Sequence, residues 1–61
     1  MQNMSAKELT ALEEQLGYEQ VLVKKYQAMS QACTDPGVKA KCSDIANRHQ
    51  AHYNTLVNYL K

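Results

Sequence analysis

The stretch Cys33-Thr34-Asp35-Pro36-Gly37 is the one strong break in a chain whose remaining segments both favour helix. Pro36 suits the first position of a helix, where its missing N–H removes no helical hydrogen bond, and Asp35 suits the N-cap before it. Because a proline disfavours helical dihedral angles in the residue before it, the same stretch ends any preceding helix. The sequence therefore predicts two helices separated by a tight turn over residues 33–36.

The segments on either side of this turn are each predicted to form one long helix. Ser5 followed by Glu8 has the spacing of a capping box, so the first helix is predicted from about residue 6 to residue 32. The second is predicted from about residue 36 to residue 60. Two long helices joined by so short a turn must fold back on each other. We therefore expect residues 1–61 to form a single all-α domain, an antiparallel helical hairpin.

Ionisable side chains interrupt the apolar face of both predicted helices, each face about 100° wide. In the first helix the face consists of Leu9, Leu12, Leu16, Glu19, Val23 and Tyr26. In the second it consists of Val38, Cys42, Ile45, His49, His52, Leu56 and Tyr59. Glu19, His49 and His52 are thus aimed at a core, which tolerates such groups only with hydrogen-bond partners, protons or a metal ion.

The hairpin brings these three ionisable residues to one level. With the turn at residues 34 and 35, residues facing each other have numbers that sum to about 69, which places Glu19 beside His49 and His52. One carboxylate and two imidazoles favour Zn, Fe(II), Ni, Co or Cu over Mg or Ca, so Zn and Fe are the candidate cofactors. The alternative is that Glu19 hydrogen-bonds a histidine and the cluster only fixes the register in which helices pair.

A 61-residue chain also predicts self-association. So short a domain buries only about 60% of its unfolded surface, and further apolar side chains flank the two stripes. The flanking residues are Leu22, Met29, Tyr53, Val57 and Leu60. We expect two hairpins to pair about a two-fold axis into a homodimeric four-helix bundle, with larger oligomers as the alternative. Such a dimer would gather two carboxylates and four imidazoles at its centre.

Composition suggests neither nucleic acid nor a membrane as a partner. Seven basic against six acidic side chains give a net charge of +1, too little to attract nucleic acid or an anionic membrane. No stretch approaches the ~18 consecutive apolar residues of a membrane span. Cys33 and Cys42 are too few for a disulfide framework, and bridging them would make the turn bulge, so we expect free thiols in a reducing cytoplasm. Because no nucleophile–base pair or phosphate-binding loop is present, the sequence favours no enzymatic activity.

Three stretches carry a family resemblance that spans nearly the whole chain: residues 19–26 (EQVLVKKY), Cys33-Thr34-Asp35-Pro36 followed by Cys42, and residues 49–56 (HQAHYNTL). With these, the chain resembles the spore-coat-F-like (coat F domain) proteins of endospore-forming Firmicutes, small members of a ferritin-like superfamily. The resemblance implies a ferritin-like bundle with a structural or assembly role in sporulation, located in the mother-cell cytoplasm or the spore coat. Other coat proteins are then possible partners.

The ferritin-like relatives carry metals, and that implication extends only to Glu19, His49 and His52. Their Glu-x-x-His pair is incomplete here, because Ala46 precedes His49 by three residues and His49 itself precedes His52. The sequence thus leaves two hypotheses for function. One is an assembly module of the spore coat, and the alternative is a metal-binding bundle with a Glu/His site at the dimer centre.

Overall fold

The computed structural model describes residues 3–61, which form two α-helices and no strand. Helix α1 spans Ala6–Ala32 and helix α2 spans Pro36–Asn58, and α2 folds back along α1. The Cα atoms extend 46 × 14 × 11 Å, as expected for one pair of long antiparallel helices. The predicted all-α hairpin is therefore confirmed for the described residues. Residues 1 and 2 of the predicted domain lie outside them.

The capping box predicted at the start of α1 is present. The Ser5 hydroxyl accepts a hydrogen bond from the Glu8 N–H at 3.1 Å, and the Ser5 N–H donates to a Glu8 carboxylate oxygen at 3.0 Å. Hydrogen bonding to the carboxylate by Ser5, from its backbone N–H foremost and then from its side chain, holds the pKa of the Glu8 carboxyl below its usual value. The helix ends where Cys33 turns to extended backbone dihedral angles, two residues before Asp35.

Asp35 and Pro36 start α2 as the sequence predicts. The Asp35 carboxylate accepts a hydrogen bond from the Val38 N–H at 2.9 Å, and Pro36 occupies the first turn. Asp35 itself keeps extended dihedral angles, as a residue before proline does. Asp35 therefore both ends the turn and caps α2.

Replacing Asp35 with alanine is expected to lower the free energy of unfolding by about 1 kcal/mol, the usual loss when an N-cap acceptor is removed. Asp35→Asn keeps an oxygen for the Val38 N–H and should lose much less. Chemical denaturation of both variants beside the wild type measures the difference. Equal losses in the two variants would show that the negative charge, rather than the capping hydrogen bond, stabilises this end of α2.

Helix α2 ends two residues earlier than predicted, at Asn58 rather than residue 60. The Tyr59 N–H donates to the Leu56 carbonyl at 3.1 Å and the Leu60 N–H to the Val57 carbonyl at 2.9 Å. These bonds to the third preceding residue tighten the last turn beyond α-helical geometry. Neither helix among residues 3–61 combines the length and the hydropathy that crossing a membrane requires.

The buried face of α2 differs from the predicted one. Ala46 is 3% exposed, and Tyr53, Val57 and Leu60, predicted to flank the stripe, are half-buried. Val38 and Tyr59, predicted to be part of the stripe, are about half exposed, at 48% and 49%. At about 100° per residue, the observed face is rotated by about 50° from the prediction.

Small side chains bring the helices together near the turn. The Ser30 hydroxyl donates to the Lys39 carbonyl at 3.1 Å and shares a hydrogen bond of 2.9 Å with the Ser43 hydroxyl. Cys42 is buried beside this pair, and both thiols of the chain are free. Burial raises the pKa of the Cys42 thiol, and the neighbouring Cys33 thiol raises it further. This end of the hairpin is therefore held by backbone-directed hydrogen bonds as well as by packing.

Candidate metal centre

Glu19 lies midway along α1 and is the most deeply buried charged residue of the described chain, with 3% of its surface exposed. One carboxylate oxygen, Oε1, lies 3.0 Å from His49 Nδ1. The other, Oε2, lies 3.3 Å from His49 Nδ1 and 3.3 Å from His52 Nδ1. The structure thus brings together all three residues that the sequence singles out, within a single hairpin.

The two histidines differ in how firmly they are held. His49 has 23% of its side chain exposed, and its ring stacks on Tyr26, with 6.3 Å between ring centroids and 17° between ring planes. His52 has 61% of its side chain exposed and meets the His49 ring edge-on at 5.5 Å. The prediction that His52 is aimed at the core of the hairpin is therefore wrong, because it lies at the edge of the helix contact.

The spacing of the three residues suits a single small cation. Taking one ligand atom from each, all lie within 4.8 Å of one another. Tetrahedral Zn²⁺ with bonds of about 2.0–2.1 Å separates its ligand atoms by about 3.3 Å, close to the carboxylate–imidazole distances here. An ion between the three side chains would also have to bring the two imidazole nitrogens to this separation, from a spacing of at most 4.8 Å.

The burial of Glu19 calls for positive charge or hydrogen-bond donors beside its carboxylate. A carboxylate withdrawn from water needs compensating positive charge or hydrogen-bond donors. An ionised carboxylate can only accept hydrogen bonds. Each imidazole nitrogen that faces Glu19 therefore either donates a hydrogen bond to it or binds the same positive ion. The same arrangement therefore serves a hydrogen-bonded cluster or a metal ion, and the two compete for the same lone pairs.

The site opens to solvent on one side of the hairpin. A shallow groove of about 320 Å³ reaches Glu19 and His52 from there. Its remaining lining residues are Gln15, Thr55 and Leu56. An ion would have a path of entry through this groove. Three protein ligands with one open position is the arrangement of catalytic rather than of purely structural zinc sites.

Sequence reasoning missed two contributors to this site. Tyr26 fixes the ring of His49, and Gln15 lines the groove beside Glu19. Tyr26 follows Glu19 by seven residues, which places both on one helix face, so its role was visible in the spacing. Gln15 left no such signal, because a glutamine on a helix flank is ordinarily solvated.

Comparisons with protein-family models, with curated proteins and with solved structures found no match for this chain. The resemblance to spore-coat-F-like proteins therefore stays a prediction. The function of the chain is inferred from its own side chains.

Proposed function

We propose that this chain binds a transition-metal ion, with Zn²⁺ and Fe²⁺ as the candidates, through Glu19, His49 and His52. The observation that carries the proposal is the convergence of two imidazole nitrogens on one buried carboxylate, at 3.0 Å and 3.3 Å. The mixed nitrogen and oxygen ligand set suits these ions better than Mg²⁺ or Ca²⁺.

A purely structural role for the cluster explains its geometry less well. His49 reaches both oxygens of Glu19 through one nitrogen, Nδ1, at 3.0 Å and 3.3 Å. His52 is mostly exposed, so it fills no space between the helices. A metal ion gives His52 a reason to face Glu19, because three ligands hold an ion where two do not.

We expect tag-free protein at neutral pH to bind one Zn²⁺ per three-residue site and to melt at a higher temperature when loaded. His52→Ala should weaken the affinity at least about 10-fold, since even losing an indirect supporter of a metal ligand has such an effect. Isothermal titration calorimetry measures both. Gln50→Ala is the matched control: Gln50 lies on the same helix between the two histidines but bonds Asn54, and its variant should bind as the wild type does.

Absence of a thermal shift with either Zn²⁺ or Fe²⁺ would refute the proposal. So would an equal loss of affinity in Gln50→Ala and His52→Ala, because the ion would then be held elsewhere. Elemental analysis of the purified protein identifies the ion it carries.

An assembly role, of the kind that the resemblance to spore-coat-F-like proteins implies, is our second proposal. It is supported by large apolar side chains that α1 and α2 leave exposed: Tyr18, Val21, Met29, Val38 and Tyr59. Self-association would cover part of this surface. A protein that stays a folded monomer at high micromolar concentration would remove that support.

A further inference from the structure

The two long sides of the hairpin differ in chemistry. We call the side on which the groove opens to Glu19 the site-bearing side. It carries a row of residues at seven-residue intervals on α2 and a shorter apolar row on α1. The α2 row is Val38, Ile45, His52 and Tyr59, and the α1 row is Leu22 and Met29. The opposite side has a groove lined mainly by Gln20, Lys24, Gln27 and Gln50. Only one side therefore offers apolar surface next to the site.

The hairpin exposes more surface than a compact globular monomer of its mass. The hairpin exposes 4657 Å² and has a mass of 6.9 kDa. A monomeric globular protein of this mass exposes about 4,000 Å², so the excess is about 650 Å². A stable interface of ordinary size buries about 600–1,000 Å² on each partner. The excess of this hairpin thus falls in the range that one partner contributes.

The pattern of the uncovered rows points to the same kind of helix as the partner. Three apolar residues of the α2 row, Val38, Ile45 and Tyr59, stand at multiples of seven positions, the spacing at which a helix presents one face to a nearly parallel partner helix. A second hairpin with the same rows supplies two such helices. Because Glu19 and His52 lie near the middle of the hairpin, a two-fold axis brings the two sites to one level in either orientation of the pair.

We infer that a second copy of this chain docks on the site-bearing side and closes over the groove at Glu19 and His52. The inference rests on the proposed assembly role. It adds that the partner is a second copy of the chain and that the contact forms on the site-bearing side. Docking covers the exposed ring of His52 and the half-exposed side chains of Val38 and Tyr59. The polar side of the hairpin stays in water.

Sedimentation velocity on two matched variants tests the face. Val38→Glu and Val21→Glu make the same change at exposed valines, 48% and 62% exposed, but Val21 lies on the outer face of α1. With metal removed by a chelator, the wild type should sediment as a dimer at high micromolar concentration. A buried unpaired carboxylate in each copy should weaken the Val38→Glu dimer at least about 10-fold, while Val21→Glu should match the wild type.

Tyr59→Glu, beyond the end of α2, provides a second test at the other end of the same row and should weaken the dimer likewise. Circular dichroism shows that each variant keeps its helices. A monomeric wild type would overturn both the inference and self-assembly. If Val21→Glu weakens the dimer as much as Val38→Glu does, only the assignment of the interface to the site-bearing side is wrong. Neither result bears on Zn²⁺ binding, which the calorimetry measures separately.

Discussion

Replacing Glu19 with leucine is expected to lower the affinity for Zn²⁺ at least about 100-fold while the hairpin keeps its helices. Glu19 supplies the only negative charge among the three ligands, so an ion would be left with two neutral imidazoles. Removing one partner of a buried charged pair is costly when the other stays buried, but the two histidines left behind keep contact with water, with 23% and 61% of their side chains exposed. Leucine also favours helix. Calorimetric titration measures the affinity, and chemical denaturation measures the free energy of unfolding.

Glu19→Gln is the control that separates shape from charge. It keeps the length of the side chain and one oxygen that can accept from His49, but it loses the negative charge. We expect weak Zn²⁺ binding in both variants. If Glu19→Leu melts the helices while Glu19→Gln does not, the cluster holds the hairpin together and the structural alternative is correct. If Glu19→Leu binds Zn²⁺ as the wild type does, the ion lies elsewhere.

The meeting of Glu19 with the two histidines could be predicted because the turn fixes the register. Once Asp35 and Pro36 set where the chain reverses, helix geometry determines which residues are level, and no detail of packing is needed. What the sequence could not give was the unequal burial of His49 and His52. The two residues are three positions apart and so about 60° apart around α2. A rotation of this size moves a side chain from the middle of the helix contact to its edge. The periodicity of apolar residues does not show where that edge lies.

The buried face of α2 was misplaced for a related physical reason. Ranking positions by hydrophobicity favours Val38 and Tyr59, whereas close approach of two helices favours a small residue. Ala46 is 3% exposed, and Tyr53, two turns further along the same face, is half-buried while its hydroxyl accepts a hydrogen bond from the Gln20 amide at 3.3 Å. Neither residue stands out by hydropathy. The strength of the capping signals, by contrast, let the start of each helix be predicted to the residue.

The close approach at Ala46 leads to the second large expected effect. Replacing Ala46 with leucine adds three carbons where α2 presses on α1, and overpacking of this kind costs about 1–3 kcal/mol. In a hairpin this small, with few buried side chains to share the strain, such a loss is a large part of the total stability. We expect the melting temperature and the denaturation midpoint of Ala46→Leu to fall clearly below those of the wild type.

Ala51→Leu makes the same substitution on the exposed outer face of α2 and should change the free energy of unfolding by less than about 0.5 kcal/mol. The pair isolates packing, because both variants alter helix propensity equally. Equal stability of the two would mean that the helices do not touch at Ala46. The register that brings His49 and His52 to Glu19 would then also be in question, since Ala46 and His49 lie on adjacent turns of the same face.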